Sequence, residues 1–121
     1  MKVLVCGGRR YSSIEKVDQV LSTIHEDGVI SHLIEGGAEG ADTIARTWAQ
    51  GVGVQTVTCK ANWEQFGKSA GPRRNANMLS LGPDLVVAFP GGAGTAHMVG
   101  VAKAAGIRVM EVPAHEPGDV L

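Results

Sequence analysis

The chain has 121 residues, 44% of them hydrophobic, and a formal charge of −1, which is the size of one domain and long enough to bury a core without disulfide or metal staples. Near-neutral charge without a basic tract argues against electrostatic capture of duplex nucleic acid or of an anionic membrane, so any basic site must be local. No stretch approaches the roughly 18 to 20 apolar residues that span a bilayer, and Met1-Lys2-Val3-Leu4-Val5-Cys6 runs straight into Gly7-Gly8-Arg9-Arg10 without the length or cleavage region of a signal peptide; a cytoplasmic protein with no membrane partner is expected.

Apolar runs rich in Val and Ile recur at 2–6, 30–35, 54–58, 85–89 and 107–112, separated by glycine-bounded segments of helical periodicity. That alternation predicts βα units and a parallel sheet. In the first helix Ile14, Val17, Leu21 and Ile24 trace one face, Ser12 or Ser13 is the N-cap, and Gly28 marks the end. The second helix carries Ala41, Ile44, Ala45 and Trp48 on one face and is expected to close before Gly51. The segment 62–81 departs from the pattern: it opens with Trp63 and Phe66, passes Gly71-Pro72, and becomes a polar helix at 73–81 with Pro72 in its first turn. The last helix sets Met98, Val101, Ala102 and Ala105 on one face and Ala96, Gly100 and Ala104 on another. One domain over 1–112 followed by a surface tail at 113–121 is the expected organisation. Cys6 and Cys59 belong to no CxxC pair or Cys/His cluster, so they read as small buried hydrophobes, with no metal, disulfide or required cofactor expected. His25, His32 and His115 have no partner visible in the sequence and are placed at the surface; His97 falls near the start of the last helix, on its outer face, with a catalytic role as the alternative.

Three runs end in glycine loops: Gly7-Gly8-Arg9-Arg10, Gly36-Gly37-Ala38-Glu39-Gly40-Ala41-Asp42 and Pro90-Gly91-Gly92-Ala93-Gly94-Thr95. Glycine at a strand-to-helix turn lets a ligand approach the backbone, and the helix start that follows offers unpaired N–H groups to an anion. Right-handed crossovers predict a Rossmann-like three-layer α/β/α sandwich with a five-stranded parallel sheet of order 3-2-1-4-5, which brings all three loops to the topological switch point. Arg9, Arg10, Lys68, Arg73 and Arg74, five of the eleven basic residues, fall in two loop-proximal stretches and are suited to a phosphate. Phe66-Gly67-Lys68-Ser69 imitates the end of a Walker A sequence, but Asn62 stands where the first glycine belongs; GxGxxG is also absent. Trp63 has two readings, core packing or stacking on a nucleobase.

Taken together, Gly7-Gly8-Arg9-Arg10-Tyr11, the 36–42 loop, Asn62-Trp63, the 67–75 run ending Ala70-Gly71-Pro72-Arg73-Arg74-Asn75, and the 89–95 loop resemble the YspA-like (YAcAr) branch of the SLOG superfamily across nearly the whole of 1–112. The chain also resembles the LOG phosphoribohydrolases of that superfamily in its Pro-Gly-Gly-x-Gly-Thr loop, which implies that Gly91, Gly92, Gly94 and Thr95 hold a phosphate. Arg74 and Met78 match the Arg-x-x-x-Met element of those enzymes, with Asn75 where they carry lysine. They place glutamate three residues after the threonine, where this chain has Met98; a thioether can neither stabilise an oxocarbenium-like centre nor activate water, and Met98 also begins an apolar row.

The resemblance therefore implies a domain that binds or senses a nucleotide or an ADP-ribose-like derivative through Gly7, Gly8, Arg9, Arg10, Gly36, Gly37, Gly40, Asp42, Trp63, Lys68, Arg73, Arg74, Asn75, Pro90, Gly91, Gly92, Gly94 and Thr95. An alternative is hydrolysis of an N-glycosidic bond, with Glu39 as general base, Asp42 on the ribose hydroxyls and Arg74 beside them; both carboxylates also suit a helix start. Single-stranded DNA binding, as in the DprA relatives, is a third reading, opposed by weak basicity and few aromatics. The small residues Ala96, Gly100 and Ala104 predict a homodimer through the last helix.

Overall fold

A computed structural model describes residues 1–114; the expected tail beyond Ala114, His115 included, lies outside the described residues. Five strands, β1 (Lys2–Cys6), β2 (His32–Glu35), β3 (Gln55–Thr58), β4 (Leu85–Ala88) and β5 (Arg108–Glu111), form one parallel sheet of order β3-β2-β1-β4-β5, as right-handed crossovers require. The helices are α1 (Ile14–Asp27), α2 (Ala41–Val52), α3 (Trp63–Phe66), α4 (Ala70–Ser80) and α5 (Ala93–Ala104), with a 3-10 turn at Gly67–Ser69 joining α3 to α4.

Side chains alternate across the strands, so each apolar run feeds two cores. Val3, Val5, Leu33, Leu85, Val87 and Phe89 pack against Val17 and Leu21 of α1 and Ala41, Ala45 and Trp48 of α2. Leu4, Cys6, Ile34, Val86 and Ala88 face the other way, onto Met78 of α4 and Met98 and Ala102 of α5. Strand β1 is paired on both edges, Leu4 with Ile34 and with Val86, and Val3 to Val5 are fully buried; burial on both faces is why it reads as an uninterrupted apolar run. Among the described residues no helix is long and apolar enough to cross a membrane.

Three strands start later than their apolar runs, because an amide in each run is spent on the segment before it. Ile30 N donates to His25 Nδ1 at 3.0 Å, Val54 N to the Ala49 carbonyl at 2.8 Å, and Ile107 N to the Ala102 carbonyl at 3.0 Å. The first of these bonds, with the His25 and Trp48 ring centres 5.8 Å apart and nearly perpendicular, holds His25 half-buried on the side of α1 that meets α2 instead of at the surface. Ser13 is the N-cap of α1, its Oγ accepting from Lys16 N at 3.2 Å, but Ile14 is 68% exposed because it precedes the buried row. Helix α2 does not close before Gly51: it runs to Val52, and Gly53, with φ +80°, takes the left-handed cap. Helix α4 begins at Ala70, ahead of the expected 73, with Pro72 in its first turn. Ala105 caps α5 and is exposed, so the buried row there is Met98 and Ala102, while Ala96, Gly100 and Ala104 are exposed. Cys6 is buried and Cys59 half-buried, and both are free thiols.

Gly40 precedes α2 with φ +75°, and a Cβ there would collide with the backbone carbonyls of Gly8 and Arg9. Gly51 is helical and has nothing within 4 Å of an added Cβ. Gly40→Ala is therefore expected to lower the unfolding free energy by at least about 2 kcal/mol, and Gly51→Ala to raise it by roughly 0.5 kcal/mol, both read by urea unfolding.

Candidate functional site

The carboxyl ends of β1, β2 and β4 lie side by side, and the loops that leave them interlock through backbone bonds. Gly8 N donates to the Pro90 carbonyl at 2.9 Å, and the Gly8 carbonyl accepts from Ala41 N at 3.2 Å. Beside this junction is a cavity of about 480 Å³, lined by the first loop (Gly7, Gly8, Arg9), by Ala38 and Asp42, by Trp63, Lys68, Arg74, Asn75 and Met78, and by Gly92, Gly94, Thr95 and His97 at the start of α5. Helix α5 has no side-chain cap at Gly92, so its first N–H groups are left for a partner from outside the helix.

Asp42 is buried. Its Oδ2 accepts from Gly36 N at 3.1 Å and Ala38 N at 3.3 Å, which leaves Oδ1 for an occupant of the cavity. Burial pushes its carboxyl up to about 6; the neighbouring Glu35 adds to the rise, while the Ala38 and Gly36 amides and Arg74 oppose it. Arg74 donates from Nη1 to the Gly36 carbonyl at 3.0 Å and from Nε to Asn75 Oδ1 at 3.0 Å. Asn75, itself buried, reaches His97 Nδ1 at 3.0 Å with Nδ2. At the mouth, the Arg9 guanidinium lies 5.8 Å from the centre of the Trp63 ring, and Trp63 remains 48% exposed. Trp63 is thus a rim residue, packed on its inner side against Gly71. The Cys6 thiol also borders the cavity and is pushed up to about 12, first by burial and then by Asp42, so it is not a nucleophile at neutral pH.

The expected site residues divide into two groups. Gly7, Gly8, Arg9, Asp42, Trp63, Lys68, Arg74, Asn75, Gly92, Gly94 and Thr95 line the one cavity. Arg10 and Glu39 are exposed and outside that lining, so the geometry gives Glu39 no general-base position. Arg73 turns outward, its guanidinium 4.2 Å from the Phe66 ring centre and its Nε on Ser69 Oγ at 3.2 Å. Pro90 and Gly91 border an adjoining depression of about 240 Å³ toward β5, with Glu111 and Val112, which shares Gly92 and Thr95 with the cavity. Gly36, Gly37 and Gly40 are braces: the backbone of Gly36 is taken by Asp42 and Arg74 and that of Gly37 by Glu35, while Gly40 lies where a Cβ would meet the Gly8 and Arg9 carbonyls.

Two residues of consequence stand outside the binding residues that the sequence predicts. Glu35 is fully buried and accepts from Gly37 N at 2.7 Å and from Thr58 Oγ1, with Arg46 at 3.7 Å; a carboxylate ending an apolar strand was its signal, since such groups are buried only when paired. His97 lines the cavity, although its place on the outer face near the start of the last helix left a catalytic role only as an alternative. Among the described residues no group of three or more His, Cys, Asp or Glu gathers as a metal-ligand set.

The raised carboxyl of Asp42 sets the sign of a pH effect. Its folded value, about 6, lies above the unfolded 3.8, so the folded state holds the proton more tightly. The stabilisation is complete below about pH 4 and is lost as pH rises through about 6. The stability of the wild type relative to Asp42→Asn is therefore expected to fall by at most about 3 kcal/mol across that window, as measured by urea unfolding at pH 4 and pH 7.

A family model described as the YspA, cpYpsA-related SLOG family matches residues 1–66. The chain is 37% identical over 117 residues to the Gene 61 protein of Mycobacterium phage D29, covering 90% of this chain and 94% of that protein. Among solved structures it resembles DNA processing protein A (DprA) from Streptococcus pneumoniae, with a TM-score of 0.78 at 19% identity; the likeness spans 97% of this chain but only 52% of DprA, and it establishes a shared fold. The match to more than half the chain and the close relative along nine-tenths of it agree with the glycine-loop and Ala-Gly-Pro-x-Arg-Asn motifs: this chain belongs to the YspA, cpYpsA-related SLOG family.

Proposed function

We propose that the cavity binds a phosphate-bearing nucleotide or nucleotide derivative, with the phosphate at the Gly92–Thr95 turn and the first glycine loop. The observation that carries this reading is convergence: two glycine turns distant in sequence, an uncapped helix start and the cationic groups Arg9, Lys68 and Arg74 border one cavity at the switch point of a parallel sheet. Backbone N–H groups and guanidinium forks are the usual partners of phosphate oxygens. Trp63 at the rim offers a face to a base. A hydrolytic version rests on Asp42 alone, since Glu39 lies outside the lining.

A ligand that binds only the native state raises its apparent stability. Nucleoside 5′-monophosphates are expected to raise the melting temperature while the corresponding nucleosides do not, and the exposed pair Arg9→Ala/Lys68→Ala is expected to weaken binding by about tenfold or more. Base released in the same mixtures, and lost in Asp42→Asn, would make the site an enzyme. Stabilisation by oligo(dT) without any by mononucleotides would overturn the small-molecule reading.

The exposed Ala96, Gly100 and Ala104 face of α5 supports a second proposal, a homodimer packed through that helix. Gly100 is exposed and has nothing within 4 Å of an added Cβ, so Gly100→Leu is expected to leave the protomer folded. Light scattering is expected to find a dimer that this substitution dissociates; a monomer in both forms would remove the proposal.

A further inference from the structure

Arg74, Asn75 and His97, all lining the cavity, form a chain of hydrogen bonds whose direction follows from what each group can do. Arginine carries donors only, and Arg74 Nε meets Asn75 Oδ1 at 3.0 Å. With Oδ1 held toward the guanidinium, the amide nitrogen of Asn75 faces the other way, where the Gly94 carbonyl stands at 3.5 Å and His97 Nδ1 at 3.0 Å. Two neighbours thus fix the amide independently: a cation that cannot accept and a carbonyl that cannot donate. Facing a donor, His97 Nδ1 must accept, and the ring proton of the neutral imidazole is left on Nε2.

A neutral N–H adds no countercharge to a phosphate already served by Arg9, Lys68 and Arg74. It suits an uncharged oxygen. Asp42 lines the same cavity with Oδ1 uncommitted, so the wall offers one fixed donor and one fixed acceptor, the pair that a hydroxyl-bearing sugar next to a phosphate requires. We propose that His97, held as its Nε2–H tautomer by Arg74 and Asn75, donates to a sugar oxygen of a sugar phosphate while Asp42 accepts from a hydroxyl of the same sugar; this rests on the phosphate-binding reading above. In this arrangement His97 is a specificity residue, and Asn75 is a positioning residue that acts through it.

The test uses the full chain and two probes, ribose 5-phosphate and inorganic phosphate. Long-range proton–nitrogen correlation at pH 8, where imidazoles are neutral, is expected to find His97 Nε2 protonated and Nδ1 bare, and Asn75→Asp, whose carboxylate accepts, is expected to move the proton to Nδ1. In titrations, His97→Ala is expected to weaken ribose 5-phosphate about tenfold with inorganic phosphate within twofold. His97→Gln, which keeps an N–H near the place of Nε2, should restore most of the loss. A proton on Nδ1 in the wild type overturns the tautomer assignment and leaves the phosphate pocket standing. Equal loss for both probes, or loss for neither, overturns the role of His97 in reading the sugar. Absence of binding by either probe overturns the phosphate reading and the sugar contact together, while the tautomer measurement still decides the Arg74–Asn75 arrangement.

Discussion

The peptide of Gly8 is bonded to both of the other glycine loops. Its N–H is taken by Pro90, and its carbonyl receives the amides of Ala41 and Tyr11. With β1 between β2 and β4 and neighbouring strands only about 4.8 Å apart, the three loops cannot leave the sheet independently. They have to pass over one another within backbone contact, and Gly40, whose Cβ would meet the Gly8 and Arg9 carbonyls, is where that contact excludes a side chain. The cavity, the start of α2 and the start of α5 are all positioned by this crossing.

The second loop gives the cavity only Ala38 and Asp42; the rest of it supports buried carboxylates. Glu35 and Asp42 are both buried beside it, and the amides of Gly36, Gly37 and Ala38 are turned onto their oxygens. The Arg74 guanidinium completes the arrangement by binding the Gly36 carbonyl. Burying two carboxylates is costly unless their hydrogen bonds are met, and here the loop backbone meets them. The same burial explains why Asp42 keeps its proton into the range near 6. The cavity consequently takes its polar character from α4 and α5 more than from the second loop.

Positions 97 and 98 show how one helix serves both the core and the cavity. The Pro-Gly-Gly-x-Gly-Thr turn is intact, yet Met98 is fully buried among Leu4, Cys6, Val86 and Ala88 and forms part of the core under α5. The residue before it, His97, lines the cavity instead. On a helix, adjacent residues diverge by about 100°, so the Met98 thioether enters the core while the His97 imidazole borders the cavity.

The sheet order, the two-sided burial of β1, the caps at Ser13 and the glycine turns follow from local pattern: alternation, helical rows and residues that permit particular backbone angles act over a few positions and are written in order along the chain. Arg73 and Arg74, adjacent and identical in type, mark where that information ends, for one stacks outward on Phe66 and the other turns inward to Gly36, 38 residues away. Asn75 and His97, 22 residues apart, meet only because α4 and α5 pack on the same face of the sheet. The sequence by itself determined the five strands and the four longer helices, their order in the sheet and the end at which the loops gather. Which side chains enter the cavity was decided by the tertiary structure, because a hydrogen bond depends on distances of a few tenths of an ångström between segments that no local periodicity relates.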